Sequence, residues 1–286
     1  MPTIAVFDSG FGGLTVLREL LPLIPGAHYI YLGDTARLPY GSKSQKTIAR
    51  YAVESARFLA ERGAEHLVVA CNTASALALD EIREAVDIPV TGVIEPGARA
   101  AWASLAYRGH SGIDDDPSVL LPPNQEVLVL ATQATVSSHA YLRACTSLGL
   151  RTVEKACPLL VPLVEEGWID HPVTRDVIRI YLKEALGEGD PSVVLLGCTH
   201  YPLIEDAIRG ILRELGSSIQ VIDSAHSIAA SVASSMGHLP ARRPTVEPSN
   251  ATFACYATDS IEKFQRLGSA FLGQPLPEVH LIDLGG

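Results

Sequence analysis

Apolar residues in this chain come in short unbroken runs, each closed by glycine or by small polar residues and followed by apolar positions three or four apart. A run without alternation predicts a strand buried on both faces, the habit of parallel sheets. Such runs fall at Thr3–Phe7, Tyr29–Leu32, Leu67–Ala70 and Pro89–Val93. Helical spacing fills the gaps: Leu14–Leu21, stopped by Pro22 and Pro25-Gly26; Ser44–Arg62, with Gly63 as C-cap; and Ala74–Val86. The alternation βαβαβαβ over 3–93 predicts a doubly wound parallel sheet.

The pattern then repeats. After a Glu95-Pro-Gly97 stretch read as a hinge come a helix from Ala98 to about Tyr107 and a proline- and aspartate-rich surface loop, Arg108 to Gln125. Strands follow at Glu126–Ala131, Thr152–Ala156 and Val193–Leu196, with helices to about Leu148 and over Thr174–Leu186. Beyond lie a helix over Leu203–Leu215, a strand at Ile219–Asp223, a helix over Ser227–Ser235 and a loop at His238–Ser249. A strand at Ala251–Ala257, a helix over Ser260–Leu267 and a strand at Glu278–Ile282 close the chain. The fold expected is α/β: two pseudo-symmetric doubly wound parallel-sheet domains with the active site in the cleft between them. The first domain is expected over 1–96 plus 209–286 and the second over 97–208.

Composition narrows the function. A chain of 286 residues that is 47% hydrophobic sustains a large core, and 22 basic against 32 acidic residues give a formal charge of −10. Such a surface repels phosphate backbones, so no nucleic-acid partner is expected, and an anionic substrate must be captured by local donors. The N-terminus has no basic n-region and no run reaches ~18 apolar residues, so a cytoplasmic protein without a membrane span is expected. Five cysteines, an odd number and without a CxxC pair, argue against both a disulfide framework and a zinc site.

Two of those cysteines stand apart. Cys71 ends an apolar strand and is followed by Asn72-Thr73; Cys198 ends another and is followed by Thr199-His200. Ligands in open α/β sheets sit outside the carboxyl ends of strands, and core cysteines seldom precede such polar residues there. Cys145, Cys157 and Cys255 are read as buried packing residues. Asp8 closes the first strand beside a glycine loop, Gly10, Gly12 and Gly13, which is not a dinucleotide fingerprint. An acid at a potential anion site needs a reason, and tuning a thiol is one; His200 is the matching candidate for Cys198. Two thiols on opposite faces of one carbon suit symmetrical proton transfer that inverts a stereocentre. No lysine lies in these motifs for pyridoxal, and Ser9, Tyr40, Gly41, Ser42, Asn72, Thr73, Thr135 and Thr199 offer neutral donors. The residues also leave open a two-lobed amino-acid binding module with structural cysteines, and a dithiol redox protein in which Cys71 and Cys198 pair.

Asp8-Ser-Gly, Gly33-Asp-Thr with Pro39-Tyr-Gly41, Cys71-Asn-Thr73, Thr132-x-x-Thr135 and Gly197-Cys-Thr-His-Tyr-Pro202 resemble, in order, the motif set of the glutamate racemases within the cofactor-independent amino-acid racemases. The resemblance covers most of residues 3–223. The Thr-His-Tyr-Pro continuation is closer to glutamate than to aspartate racemases, where a glutamate usually follows Cys-Thr; racemases of aspartate, hydantoins or other small acids are the neighbouring alternatives. The resemblance implies interconversion of L- and D-glutamate for peptidoglycan synthesis, no cofactor, no metal, and a cytoplasmic homodimer. It assigns Cys71 to D-glutamate and Cys198 to L-glutamate, with Asp8 and His200 assisting and Glu165 behind His200. Substrate contacts are expected from Asp8, Ser9, Pro39, Tyr40, Gly41, Ser42, Cys71, Asn72, Thr73, Thr135, Cys198, Thr199 and His200. The chain departs from the usual pattern in its longer 108–125 loop and in Ala131-Thr-Gln-Ala-Thr135, where a glycine turn is commoner.

Overall fold

A computed structural model of the chain describes residues 1–106, 125–237 and 252–285. The expected loops at Arg108–Gln125 (all but its last residue) and at His238–Ser249 lie outside the described residues. The chain divides into two compact units, Met1–Val93 with Ala225–Gly286, and Ile94–Ser224.

In the first unit the elements are β1 (Thr3–Asp8), α1 (Leu14–Leu23), β2 (His28–Gly33), α2 (Gln45–Ala60), β3 (His66–Val69), α3 (Asn72–Leu77), α4 (Leu79–Ala85) and β4 (Val90–Gly92). The returning segment adds α11 (Ser224–Ser235), β9 (Thr252–Ala257), α12 (Ile261–Leu272) and β10 (Val279–Leu281). The strands form one sheet in the order β10-β9-β2-β1-β3-β4, every pair parallel. The chain steps from β1 to β2 on one side and returns to β3 on the other, so the order of strand addition reverses between β1 and β3. Phe7, Leu32, Leu67 and Val69 pack with Ile48, Ala52 and Leu59 of α2, each large apolar side chain contributing roughly 1.5–3 kcal/mol by burial. Ser44 caps α2, its Oγ accepting the Thr47 N–H at 3.4 Å.

The second unit has α5 (Ile94–Ala106), β5 (Glu126–Ala131), α6 (Gln133–Ser138), α7 (Ala140–Ser147), β6 (Arg151–Ala156), α8 (Leu160–Glu165), α9 (Pro172–Glu188), β7 (Val193–Gly197), α10 (Glu205–Glu214) and β8 (Gln220–Asp223). Its parallel sheet runs β6-β5-β7-β8. The four central strands of the first unit thus recur in the same order, with β5 in the place of β1 and β7 in the place of β3. β5 and β7 are buried at every position, which is why they read as unbroken apolar runs.

Several expectations change. The second domain boundary lies at Ser224, not 208, because β8 is hydrogen-bonded to β7 and α10 leads into it. Glu95-Pro-Gly97 is the first turn of α5 rather than a hinge loop; a proline is tolerated there because its missing N–H would have no intrahelical partner. The polar stretch expected to lead from the strand into the helix ending near Leu148 is itself helical, forming α6, and His139, at φ 53°, separates it from α7. The helix expected from Ala74 begins at Asn72, with Cys71 as its cap, and breaks at Ala78.

Candidate active site

The strand order fixes where ligands are received: outside the carboxyl ends of strands flanking the reversal point. In the first unit those ends carry Asp8, on β1, and Cys71, just beyond β3. Gly13 lets the loop after β1 fold over them, since a Cβ there would stand 2.5 Å from the Cβ of Asp8 and 2.9 Å from that of Ala70. Asp8 is fully buried, and its Oδ2 accepts the Gly10 N–H at 2.9 Å.

Cys71 is 5% exposed. Its Sγ accepts the Ala74 N–H at 3.4 Å, and its thiol donates to Ser9 Oγ at 3.4 Å. Burial, and after it the negative charge of Asp8, pushes the thiol up to about 11, against the opposing pull of the Ser9 and Ala74 contacts. Asn72 and Thr73, in the first turn of α3, are buried beside it.

The loop after β2 supplies the remaining residues expected in this unit. Pro39, preceded by a cis peptide bond, and Ser42 are exposed, and Gly41 is half-buried. Tyr40 is different: its ring is buried and its hydroxyl donates to Asp34 Oδ2 at 2.6 Å. The phenol is therefore committed inside the protein, and the loop offers its backbone and Ser42 outward. Asp34 belongs to the Gly33-Asp-Thr motif but is not among the site residues expected from the sequence; the signal for it is its place just beyond Gly33, the β2 residue in register with Asp8.

In the second unit the equivalent strand ends carry Thr132, after β5, and Cys198, after β7. Thr132 caps α6: its Oγ1 accepts the Thr135 N–H at 3.4 Å and lies 3.0 Å from Thr135 Oγ1. Thr135 is fully buried and Cys198 is 5% exposed. Gly197 is required where it stands, a Cβ there reaching 2.9 Å from Tyr141 Cε2. The Sγ of Cys198 lies 3.9 Å from His200 Nδ1, and Thr199 Oγ1 lies 3.5 Å from the same nitrogen. His200 Nε2 continues to Glu165 Oε1 at 3.3 Å. The sequence thus joins thiol, imidazole and carboxylate in one line, with Tyr201 anchoring the turn by donating to the Cys157 carbonyl at 3.0 Å.

None of the five cysteines is in a disulfide. Cys145, Cys157 and Cys255 are buried packing residues whose thiols burial pushes up to about 11, 12 and 12. Among the described residues no group of three His, Cys, Asp or Glu is placed to hold a metal ion, and no helix is long and apolar enough to cross a membrane.

Comparison with known proteins gives the family. Residues 15–232 match the Asp/Glu/Hydantoin racemase family. A glutamate racemase of Koribacter versatilis is 47% identical, over 100% of this chain and 98% of its own. The crystal structure of glutamate racemase from Francisella tularensis in complex with D-glutamate superposes with a TM-score of 0.82 at 31% identity, covering 99% of this chain and 98% of that one. The Thermus thermophilus glutamate racemase in complex with β-chloro-D-alanine gives 0.79 at 39% identity, covering 99% and 97%. The chain belongs to the Asp/Glu/Hydantoin racemase family.

Proposed function

We propose that this protein is a cofactor-independent glutamate racemase in which Cys71 and Cys198 act at the same α-carbon. The observation that supports this most is the repeat: each unit delivers a buried thiol, with a titratable neighbour in Asp8 or His200, to the equivalent strand end beside a reversal of strand order. In one direction the Cys71 thiolate takes the α-proton of D-glutamate as the Cys198 thiol donates its proton to the opposite face; the carbon inverts and L-glutamate results. The reverse reaction starts from the Cys198 thiolate and the Cys71 thiol. Asp8 and His200 each take the proton from the neighbouring thiol before it acts as base, and Glu165 supports the charge on His200. Ser9, Pro39, Gly41, Ser42, Asn72, Thr73, Thr135 and Thr199 bind the ammonium and carboxylates, with Tyr40 shaping the loop from beneath. Both proton-transfer groups come from the chain, so the mechanism as proposed draws on no cofactor. D-glutamate made this way serves peptidoglycan synthesis, with the enzyme acting as a cytoplasmic homodimer.

The test is NMR of L- and D-glutamate, incubated separately with the purified protein in D₂O without added cofactor. Loss of the Cα proton signal with inversion from both enantiomers is the expected result. No exchange with either, from folded protein with reduced thiols, rejects glutamate as substrate. Aspartate, run in parallel, reads how strictly the extra methylene is recognised, a difference typically of ~1–3 kcal/mol.

A further inference from the structure

One buried polar network in the first unit has no part in proton transfer. Its centre is Asp34, fully buried at the end of β2. A buried carboxylate is tolerated only when its oxygens are satisfied, and here three side chains share them. Arg37 Nε lies 3.0 and 2.8 Å from Oδ1 and Oδ2, Tyr40 Oη donates to Oδ2 at 2.6 Å, and Thr258 Oγ1 donates to Oδ1 at 3.0 Å. The Asp34 N–H donates to the Asp8 carbonyl at 3.0 Å, so the same residue is fixed to the end of β1. Arg37 extends the network to Glu54 on α2, its guanidinium 4.2 Å from the centre of the Tyr51 ring.

Thr258 comes from far along the chain. It follows β9, whose Ala257 is in register with Gly33 of β2. Besides donating to Asp34, its hydroxyl accepts the Ala36 N–H at 2.9 Å. A second stitch runs beside it: Thr35 Oγ1 donates to the Asp259 carbonyl at 2.7 Å and accepts the Asp259 N–H at 2.9 Å. Ser260, next in the chain, is held at φ 51°, a conformation that non-glycine residues adopt only when their surroundings impose it.

We propose that Asp34 and Thr258 are positioning residues for the 39–42 loop: their hydrogen bond locks the underside of Tyr40 and Arg37 to the end of β9, so the loop is already in its substrate-binding shape before substrate arrives. This rests on the reading that Pro39–Ser42 contact the substrate. Preorganisation of this kind spares the substrate the cost of ordering the loop. It assigns to the segment after residue 252 a role in affinity, though none of its residues is placed against substrate.

The experiment compares Thr258→Val, which keeps the branched shape without the hydroxyl, with Thr258→Ser, which keeps the hydroxyl. Steady-state kinetics in both directions would be measured together with backbone amide hydrogen exchange over residues 35–43. Thr258→Val should raise KM for both enantiomers by about threefold to tenfold, the change that losing a typical net hydrogen bond corresponds to. It should leave kcat within about twofold and speed exchange across the loop. Thr258→Ser should restore both, and Asp34→Asn, which removes the charge facing Arg37, should raise KM further in the same manner. A folded Thr258→Val protein with unchanged KM, with kcat lowered instead, or with unaltered exchange overturns the proposal. Failure of the wild type to turn over either enantiomer would be a failure of the glutamate reading alone, and the exchange comparison would still decide whether Thr258 fixes the loop.

Discussion

The two thiol-bearing strand ends occupy equivalent places in two sheets of the same central order, yet they are furnished differently. Cys71 caps a helix, donates a hydrogen bond to Ser9, and has a buried carboxylate, Asp8, as its charged neighbour. Cys198 has an imidazole, His200, backed by Glu165. A thiol at about 11 is ionised in only about one molecule in 10⁴ at pH 7. In the proposed mechanism Cys71 therefore rests as an acid and becomes a base only as its proton leaves for Asp8. At Cys198 the same proposal makes the imidazole the acceptor, with the Glu165 carboxylate 3.3 Å behind it. The central strand order is shared by the two units; the thiol's charged neighbour is not. A racemase tolerates this, because each thiol needs to change protonation state once per turnover and either acceptor can do it.

The strongest way to break the comparison is to remove one thiol at a time. Cys71→Ala and Cys198→Ala should each lower racemisation by at least the ~10²–10⁴ typical of general acid–base groups, with circular dichroism near that of the wild type. Near-normal turnover by either variant would mean that the two strand ends are not partners in one reaction.

A smaller effect should separate the two acceptors. For a racemase the overall equilibrium fixes the ratio of kcat/KM in the two directions, so no substitution shifts one without the other. The asymmetry must appear in kcat and KM taken separately. His200→Asn should lower kcat from L-glutamate, where Cys198 is the base, by about tenfold more than from D-glutamate; Asp8→Asn should do the opposite. Glu165→Gln should reproduce the His200 pattern in weaker form, since it acts only on the imidazole's charge. Equal falls in kcat in both directions for these variants would remove the assignment of one acceptor to each thiol.

Much of this was legible in the sequence because parallel strands buried on both faces announce themselves. Glu126–Ala131 was bounded correctly, and Val193–Leu196 fell one residue short of β7. The polar residues after Cys71 and Cys198 marked the strand ends that carry the candidate site. Boundaries set by tertiary context were not legible. Nothing local to residues 209–224 reveals that β8 pairs with β7, and Glu95-Pro-Gly97 spells a turn unless a helix begins one residue earlier. Tyr40 counts as a neutral donor by residue type, whereas its hydroxyl turns inward to Asp34. The Asp34–Thr258 contact joins residues 224 apart in the chain, a separation at which no local pattern carries information.

The smallest predicted effect isolates the charge on the Cys71 side. The thiolate is the form that reacts with iodoacetamide, so the rate of labelling follows the fraction ionised. Two causes raise this thiol, burial first and the Asp8 carboxylate second. Asp8→Asn removes only the second. The thiol should then ionise more readily while staying above the ordinary cysteine range, and labelling of Cys71 at pH 8 should rise severalfold. Its rate–pH curve should bend below about 11, the value set with Asp8 in place. Cys255, in the same unit and raised to about 12 by burial alone, is the internal control, read by peptide mass spectrometry of the same sample. Faster labelling of Cys71 with Cys255 unchanged is the electrostatic result. Faster labelling of both would mean that the substitution loosens the unit, and slower labelling of Cys71 would show that Asp8 assists ionisation by taking the proton more than its charge opposes it. The sign of the change therefore distinguishes a carboxylate that holds the thiol protonated from one already sharing its proton.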